Sequence, residues 1–194
     1  HNSTQENLAA PIPTATSRVR KILSNKCHRR SIATVYREDQ LSERVIDALR
    51  HASCFRHKVE TIEVIESDLA WVVLTGQYAY KIKKPLDLYF LDASTLELRE
   101  QLCQSEFTLN QRSFADLYLG VVGIYDDNQE IKVEDASGRL IEYAVKMRQF
   151  DPTKTLDRIH DREGLNHSRL EQLCQEVFEL HAKAPVSGIE TPFG

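Results

Sequence analysis

The chain has 194 residues, 41% of them hydrophobic and 28% charged, with a formal net charge of −4. That is the composition of an ordinary globular domain, long enough to bury a core without disulfide or metal staples, and it excludes the disordered and fibrous classes. The longest apolar run, residues 70–74, is far short of the ~20 residues that span a bilayer, and four widely separated cysteines have neither metal-ligand spacing nor the density of a disulfide scaffold. These features predict a cytoplasmic protein with reduced thiols.

The charge is unevenly placed. Residues 1–37 hold seven Lys/Arg and one acid, Glu6, which leaves 18 basic and 28 acidic residues in the remainder. So acidic a domain is a poor partner for nucleic acid. The basic arm is Ser/Thr-rich, broken by Pro11 and Pro13, and without apolar period, so residues 1–37 are expected to be a disordered leader. An amphipathic helix is predicted over 40–55, with Leu41, Val45, Ala48 and Leu49 on one stripe. Three strands follow at 61–65, 70–75 and 78–83, joined by the turn pairs Ser67-Asp68 and Gly76-Gln77, and Pro85 ends this meander.

A helix is predicted over 94–113, opened by the capping box Ser94-x-x-Glu97. Its apolar stripe, Leu98, Leu102 and Leu109, runs through Glu106, and a carboxylate on a buried stripe is costly unless it meets a cation. The strand over 78–83 offers that cation. One of its faces presents Ala79, Lys81 and Lys83, so a flat ring can lie beside the small residue while a lysine reaches phosphate. For Lys83 and Lys84 the plainer expectation is a solvated basic edge. Two more strands are placed near 118–125 and 140–150, with a short strand and a turn between them. In the last one Ile141, Tyr143, Val145 and Met147 alternate with Glu142, Ala144, Lys146 and Arg148, which predicts one buried face. A final helix over 168–182 carries Leu170, Cys174, Val177 and His181, after a second capping box, Ser168-x-x-Glu171. The order predicts an α+β fold around a five-stranded, mostly antiparallel sheet.

A strand ending Ala-x-Lys, followed by a helix with an inward Glu and then two strands, has the order of a protein-kinase small lobe. The blocks Trp71–Pro85, Phe90–Glu97, Asp116–Val122 and Tyr143–Arg148 make the match more specific. Together they resemble the aminoglycoside-phosphotransferase-like part of the bifunctional aminoglycoside phosphotransferase/ATP-binding proteins, bacterial proteins in which a kinase-like domain precedes a P-loop ATPase-like domain. The resemblance covers about residues 38–185. It implies a small lobe with its helix C over 38–150, and a hinge linker with the start of the large lobe over 151–194.

By the same resemblance, Ala79 packs on adenine and Lys81 pairs with the α/β-phosphates. Glu106 holds Lys81, and the hinge at Met147, Arg148 and Gln149 meets the adenine edge through its backbone. The implied cofactors are ATP and Mg²⁺, the implied partner is a small-molecule hydroxyl acceptor, and a fused P-loop ATPase domain is a further implied partner. No catalytic residue and no metal ligand is assigned within the chain, because the family's catalytic loop and metal-binding Asp are expected beyond Gly194.

The match departs from the pattern at 66–69, where the loop over the phosphates has no glycine, and no Gly-x-x-x-x-Gly-Lys-Ser/Thr occurs. The run His160-Asp161-Arg162-Glu163-Gly164-Leu165-Asn166 has catalytic-loop spacing but precedes the last helix, so it is set aside. Two other readings stay open: a nucleotide-binding pseudokinase regulating an attached P-loop ATPase, and an interaction domain that binds no nucleotide.

Overall fold

The computed structural model describes residues 32–128 and 130–186. Most of the leader therefore lies outside the described residues, but its last six positions, 32–37, are helical. Helix α1 (Ile32–Ala48) precedes a short 3₁₀ turn at Ala52–Cys54. Strands β1 (Glu63–Glu66), β2 (Ala70–Leu74) and β3 (Tyr78–Lys83) form the meander. A small hairpin of β4 (Asp87–Leu88) and β5 (Leu91–Asp92) leads into α2 (Leu96–Gln111). Then come β6 (Tyr118–Asp126), β7 (Ile131–Val133), β8 (Arg139–Arg148), α3 (Leu156–Glu163) and α4 (His167–Lys183).

The fold is α+β, with an antiparallel main sheet in the order β1-β2-β3-β8-β6-β7. The sheet has six strands rather than five. The three residues of β7 complete it by pairing Ile124 with Val133 and Asp126 with Ile131.

Alternation along β3 decides which layer each residue serves. Tyr80 and Ile82 point into the hydrophobic core with Val73, Ile124 and Val133, and α1 closes that core through Val45, Ile46 and Leu49. Leu49 and Tyr80 are fully buried. At this edge of the core His57 is satisfied at both ring nitrogens, with Thr75 Oγ1 2.9 Å from Nε2 and the Tyr80 hydroxyl 3.4 Å from Nδ1. Helix α2 packs on the other side, against β8 and β6.

Strand β8 is consequently buried on both faces. Ile141, Glu142, Ala144 and Val145 are all inaccessible, where one-sided alternation predicts an exposed Glu142. A register shift contributes. Ile124 pairs with Glu142 but Tyr125 pairs with Leu140, so Ile141 is an extra residue in the strand.

Both expected capping boxes are displaced. Asp92 Oδ1 accepts hydrogen bonds from the backbone N–H and hydroxyl of Ser94, so Thr95 becomes the cap of α2 and accepts from Leu98 N–H. In α4 the cap is Asn166, whose side chain accepts from Arg169 N–H at 2.9 Å.

Candidate phosphate-binding face

The open face of β3 carries Ala79, Lys81 and Lys83. The register places Leu74, Val72 and Ala70 of β2 beside them, and Met147 and Val145 of β8 on the other side. Ala79 is 6% exposed. Leu74, Val72 and Met147 are only partly covered. Toward the open ends of β2 and β3 the sheet thus presents an apolar floor in which one position is too small to obstruct a flat ring. Tyr118 of β6 borders this floor opposite Met147. Burial, and then the nearby Glu106 carboxylate, raise its phenol above the ordinary range.

Beyond Ala79 the floor becomes ionic. Lys81 Nζ donates to Glu106 Oε1 at 2.8 Å, and Lys83 Nζ donates to Glu106 Oε2. The side chain of Glu106 is 13% exposed, against 33% for Lys81 and 16% for Lys83. Burial pushes the Glu106 carboxyl toward the neutral form, but the two ammonium groups outweigh that and hold its pKa below the usual carboxylate value. Lys83 is therefore drawn onto the helix rather than solvated. Lys84, which faces away, pairs with Glu66 at 2.6 Å and lies over the Trp71 ring.

The sheet-facing side of α2 is rotated from the predicted stripe. Arg99 and Cys103 are its buried residues and Leu109 is 60% exposed. Glu106 follows Arg99 and Cys103 at helical spacing, so it points inward along a largely polar face. Arg99 Nε makes bonds of 3.0 and 2.8 Å to the two carboxylate oxygens of Glu142, and Nη1 reaches the Ala93 carbonyl at 3.0 Å. This second ion pair anchors α2 to β8 and was not legible as a site. Its signal was an arginine four residues before Cys103 and seven before Glu106. Between the two pairs, the Cys103 thiol is pushed up to about 12, chiefly by burial, and is inert as a nucleophile at neutral pH.

The segment proposed as a hinge is tied into the sheet. Arg148 N–H donates to the Leu117 carbonyl at 2.8 Å and Gln149 N–H to the Gln77 carbonyl at 3.1 Å. Gln149 also accepts, through Oε1, from Gly76 N–H at 2.9 Å. Met147 thus sits on the floor, whereas the Arg148 N–H ties the end of β8 to the residue before β6, and Gln149 fastens the β2–β3 turn to it. The run at 160–166 has structural duties: Asp161 lies in α3, Gly164 ends that helix at φ +72°, and Asn166 caps α4. His181 is exposed on the last turn of α4. Among the described residues, no group of three or more His, Cys, Asp or Glu side chains is arranged to hold a metal ion, and no helix is long and apolar enough to cross a membrane.

No protein-family model matches the chain, and no solved structure matches it. It is similar to an uncharacterized protein of Mycobacterium bovis and to uncharacterized proteins of two strains of Mycobacterium tuberculosis, at 39% identity over 135 residues in each case. The similarity covers 68% of the chain and 25% of each relative, so the chain spans about a quarter of the length of the curated relatives it matches.

Proposed function

We propose that residues 38–150 are the ATP-binding small lobe of a protein-kinase-like phosphotransferase of the aminoglycoside-phosphotransferase type. The intact protein would pass the γ-phosphoryl group of ATP to a small-molecule hydroxyl. The observation that carries this reading is the 2.8 Å contact between Lys81 on the third strand and Glu106 on the helix that follows it. A kinase needs this pair in place to position its phosphate-binding lysine.

The floor around Ala79 supports the same reading, since adenine needs an apolar surface of ring size beside that lysine. In this arrangement Ala79, Leu74 and Met147 hold the ring, Lys81 donates to the α/β-phosphates, and Glu106 keeps the lysine extended toward them. Backbone recognition of the adenine edge would fall to carbonyls near Met147 and to residues after Gln149, because the Arg148 and Gln149 N–H groups are engaged. Mg²⁺, when bound, supplies neutralising charge on the β/γ-phosphates. The described residues offer it no ligand cluster.

A second reading, a lobe that binds nucleotide without transferring phosphate, is favoured by the β1–β2 turn. That turn has no glycine and is closed on itself by Ser67, whose hydroxyl bonds to the Ala70 carbonyl at 2.9 Å and accepts from Ala70 N–H at 3.2 Å.

Calorimetric titration of the protein with Mg·ATP, beside a Lys81→Gln variant of unchanged melting temperature, tests the proposal. Binding that Lys81→Gln weakens by roughly tenfold or more is the expected result. Binding indifferent to Lys81 would remove the nucleotide assignment, and phosphoryl transfer to a panel of hydroxyl acceptors separates enzyme from pseudokinase.

A further inference from the structure

His57 stands in the linker between the 3₁₀ turn and β1, on the side of the sheet away from Lys81. Phe55 and Tyr78 meet its ring edge-on, with centroids 5.6 and 4.8 Å away, and Tyr80 is stacked at 6.1 Å. The hydrogen bonds around the ring fix its tautomer. The Thr75 hydroxyl donates its proton to the Tyr78 carbonyl at 2.8 Å, so across the 2.9 Å contact its oxygen accepts from Nε2–H. Nδ1 is then the bare nitrogen, and it accepts from the Tyr80 hydroxyl at 3.4 Å. Tyr80 is fully buried, and among the described residues its hydroxyl has no other hydrogen-bond partner.

The imidazole joins the linker to the β2–β3 turn. It holds Thr75 at the start of that turn, and the Glu60 N–H adds a backbone bond to the Thr75 carbonyl at 3.4 Å. The Tyr78 N–H returns to Thr75 Oγ1, and the Gly76 N–H reaches Gln149 Oε1 beyond β8. Strand β3 presents only the phenols of Tyr78 and Tyr80 to the ring. The charged groups facing it are Lys146 of β8 and Glu134 of the β7–β8 turn. Lys146 Nζ lies 4.4 Å from the centre of the Tyr78 ring and donates to both Glu134 oxygens. On the linker itself Arg56 pairs with Asp135 at 3.3 Å, and Lys58 and Glu60 are exposed. Burial, and then the Lys146 ammonium, hold the imidazole below its ordinary 6.5, with Glu134 opposing them.

We propose that His57 is a proton-operated latch: neutral, it pins the linker over 55–62 to the β2–β3 turn, and protonated at Nδ1 it lets that turn go. A proton taken from solvent converts Nδ1 from acceptor to donor, so two donors face each other. The Tyr80 oxygen can then accept from the ring only by turning its own proton into apolar core, which leaves a buried donor unpaired. The partly exposed ring relieves this by moving toward water, and the movement takes Nε2–H off Thr75. The latch stands whether or not the opposite face of the sheet binds nucleotide.

The test uses imidazole ¹⁵N and ¹H spectra of the full chain over a pH series, with His57 assigned by its loss in His57→Gln. Amide exchange, corrected for intrinsic rates, is followed at Gly76 and Tyr78 in the same samples. His57 is expected as the Nε2–H tautomer near neutral pH, with a midpoint below those of the exposed His51, His160 and His181. Protection at Gly76 and Tyr78 should fall about tenfold as pH passes through that midpoint. It should stay flat over the same range in His57→Gln, whose amide keeps a donor and an acceptor without titrating. Tyr80→Phe, which removes the stranded hydroxyl, should raise the midpoint and shrink the acid-induced loss. An Nδ1–H tautomer at neutral pH overturns the proposal, as does a midpoint at or above those of the exposed histidines. So does an equal loss of protection in His57→Gln, a comparison that needs no folded Tyr80→Phe.

Discussion

Arg99 and Glu142 are each about 3% exposed at the side chain and meet through two bonds from a single nitrogen. Pairs this deep repay their desolvation only while both members are present. Removing the arginine leaves a carboxylate with no route to water, so Arg99→Ala is expected to lower unfolding free energy by about 3–5 kcal/mol, read from the urea midpoint. A change under about 1 kcal/mol would place this contact among weak surface pairs.

Glu106 makes a pH-dependent contribution whose sign follows from its environment. Its folded pKa is depressed below the ordinary 4.5 because two ammonium groups outweigh the effect of burial. The stabilisation is therefore complete above that ordinary value, falls as pH drops through the folded value, and is absent below it. The stability difference between wild type and Glu106→Gln should be constant from neutral pH down to about 5 and shrink steadily under acid. Denaturation curves at a series of pH values check this, and a difference that grows under acid would contradict the geometry.

At the scale of elements, the turns and the bulged strand govern what can be replaced. Gly138 sits in the β7–β8 turn, and a Cβ there would lie 2.5 Å from the Asp126 carbonyl carbon and oxygen. Those atoms are backbone in a paired strand and cannot swing aside. Gly138→Ala should destabilise by about 1–3 kcal/mol, whereas a Cβ at Gly164 meets nothing within 4 Å and changes stability only through its φ of +72°. Chemical denaturation of the two variants side by side separates crowding from backbone strain.

The same scale shows what was legible in the sequence. The meander at 61–83 was readable because its turn residues and its alternation agree; Lys81 was readable from the face it shares with Ala79, and Glu106 from its place on the predicted stripe, although the helix turns a different face to the sheet. The phase of α2 was not. Leu98 and Leu102 suggested a stripe, but the helix rests on the sheet through Arg99, Cys103 and Glu106, and a face held by ion pairs leaves no apolar period. The caps moved by one or two residues because several Ser, Thr, Asp and Asn side chains compete at each helix start, and only tertiary placement decides which one wins. Glu142 escaped notice because a strand covered on both faces and bulged at Ile141 has no exposed alternate to mark.

For the molecule as a whole, the first and last described helices differ in kind. Helix α1 gives Val45, Ile46 and Leu49 to the core, whereas none of the 17 residues of α4 is buried. Yet α4 carries an apolar stripe at helical spacing. Leu170, Leu173, Val177 and Leu180 are 37–42% exposed, and Phe178 beside them is 68% exposed. An amphipathic helix ordinarily spends such a stripe on a core, and a contiguous exposed patch of this kind draws protein surfaces together. A solution of the 194-residue chain is therefore expected to self-associate through α4 as concentration rises, with sedimentation velocity showing a concentration-dependent shift to larger species. Leu173→Glu/Val177→Glu should abolish that shift. It should also leave the melting temperature within a degree or two, since surface changes away from a core are worth about 0.5 kcal/mol or less. If the double variant instead lowers the melting temperature strongly in the monomer, the stripe is already serving the fold, and α4 belongs to the core rather than to an interface.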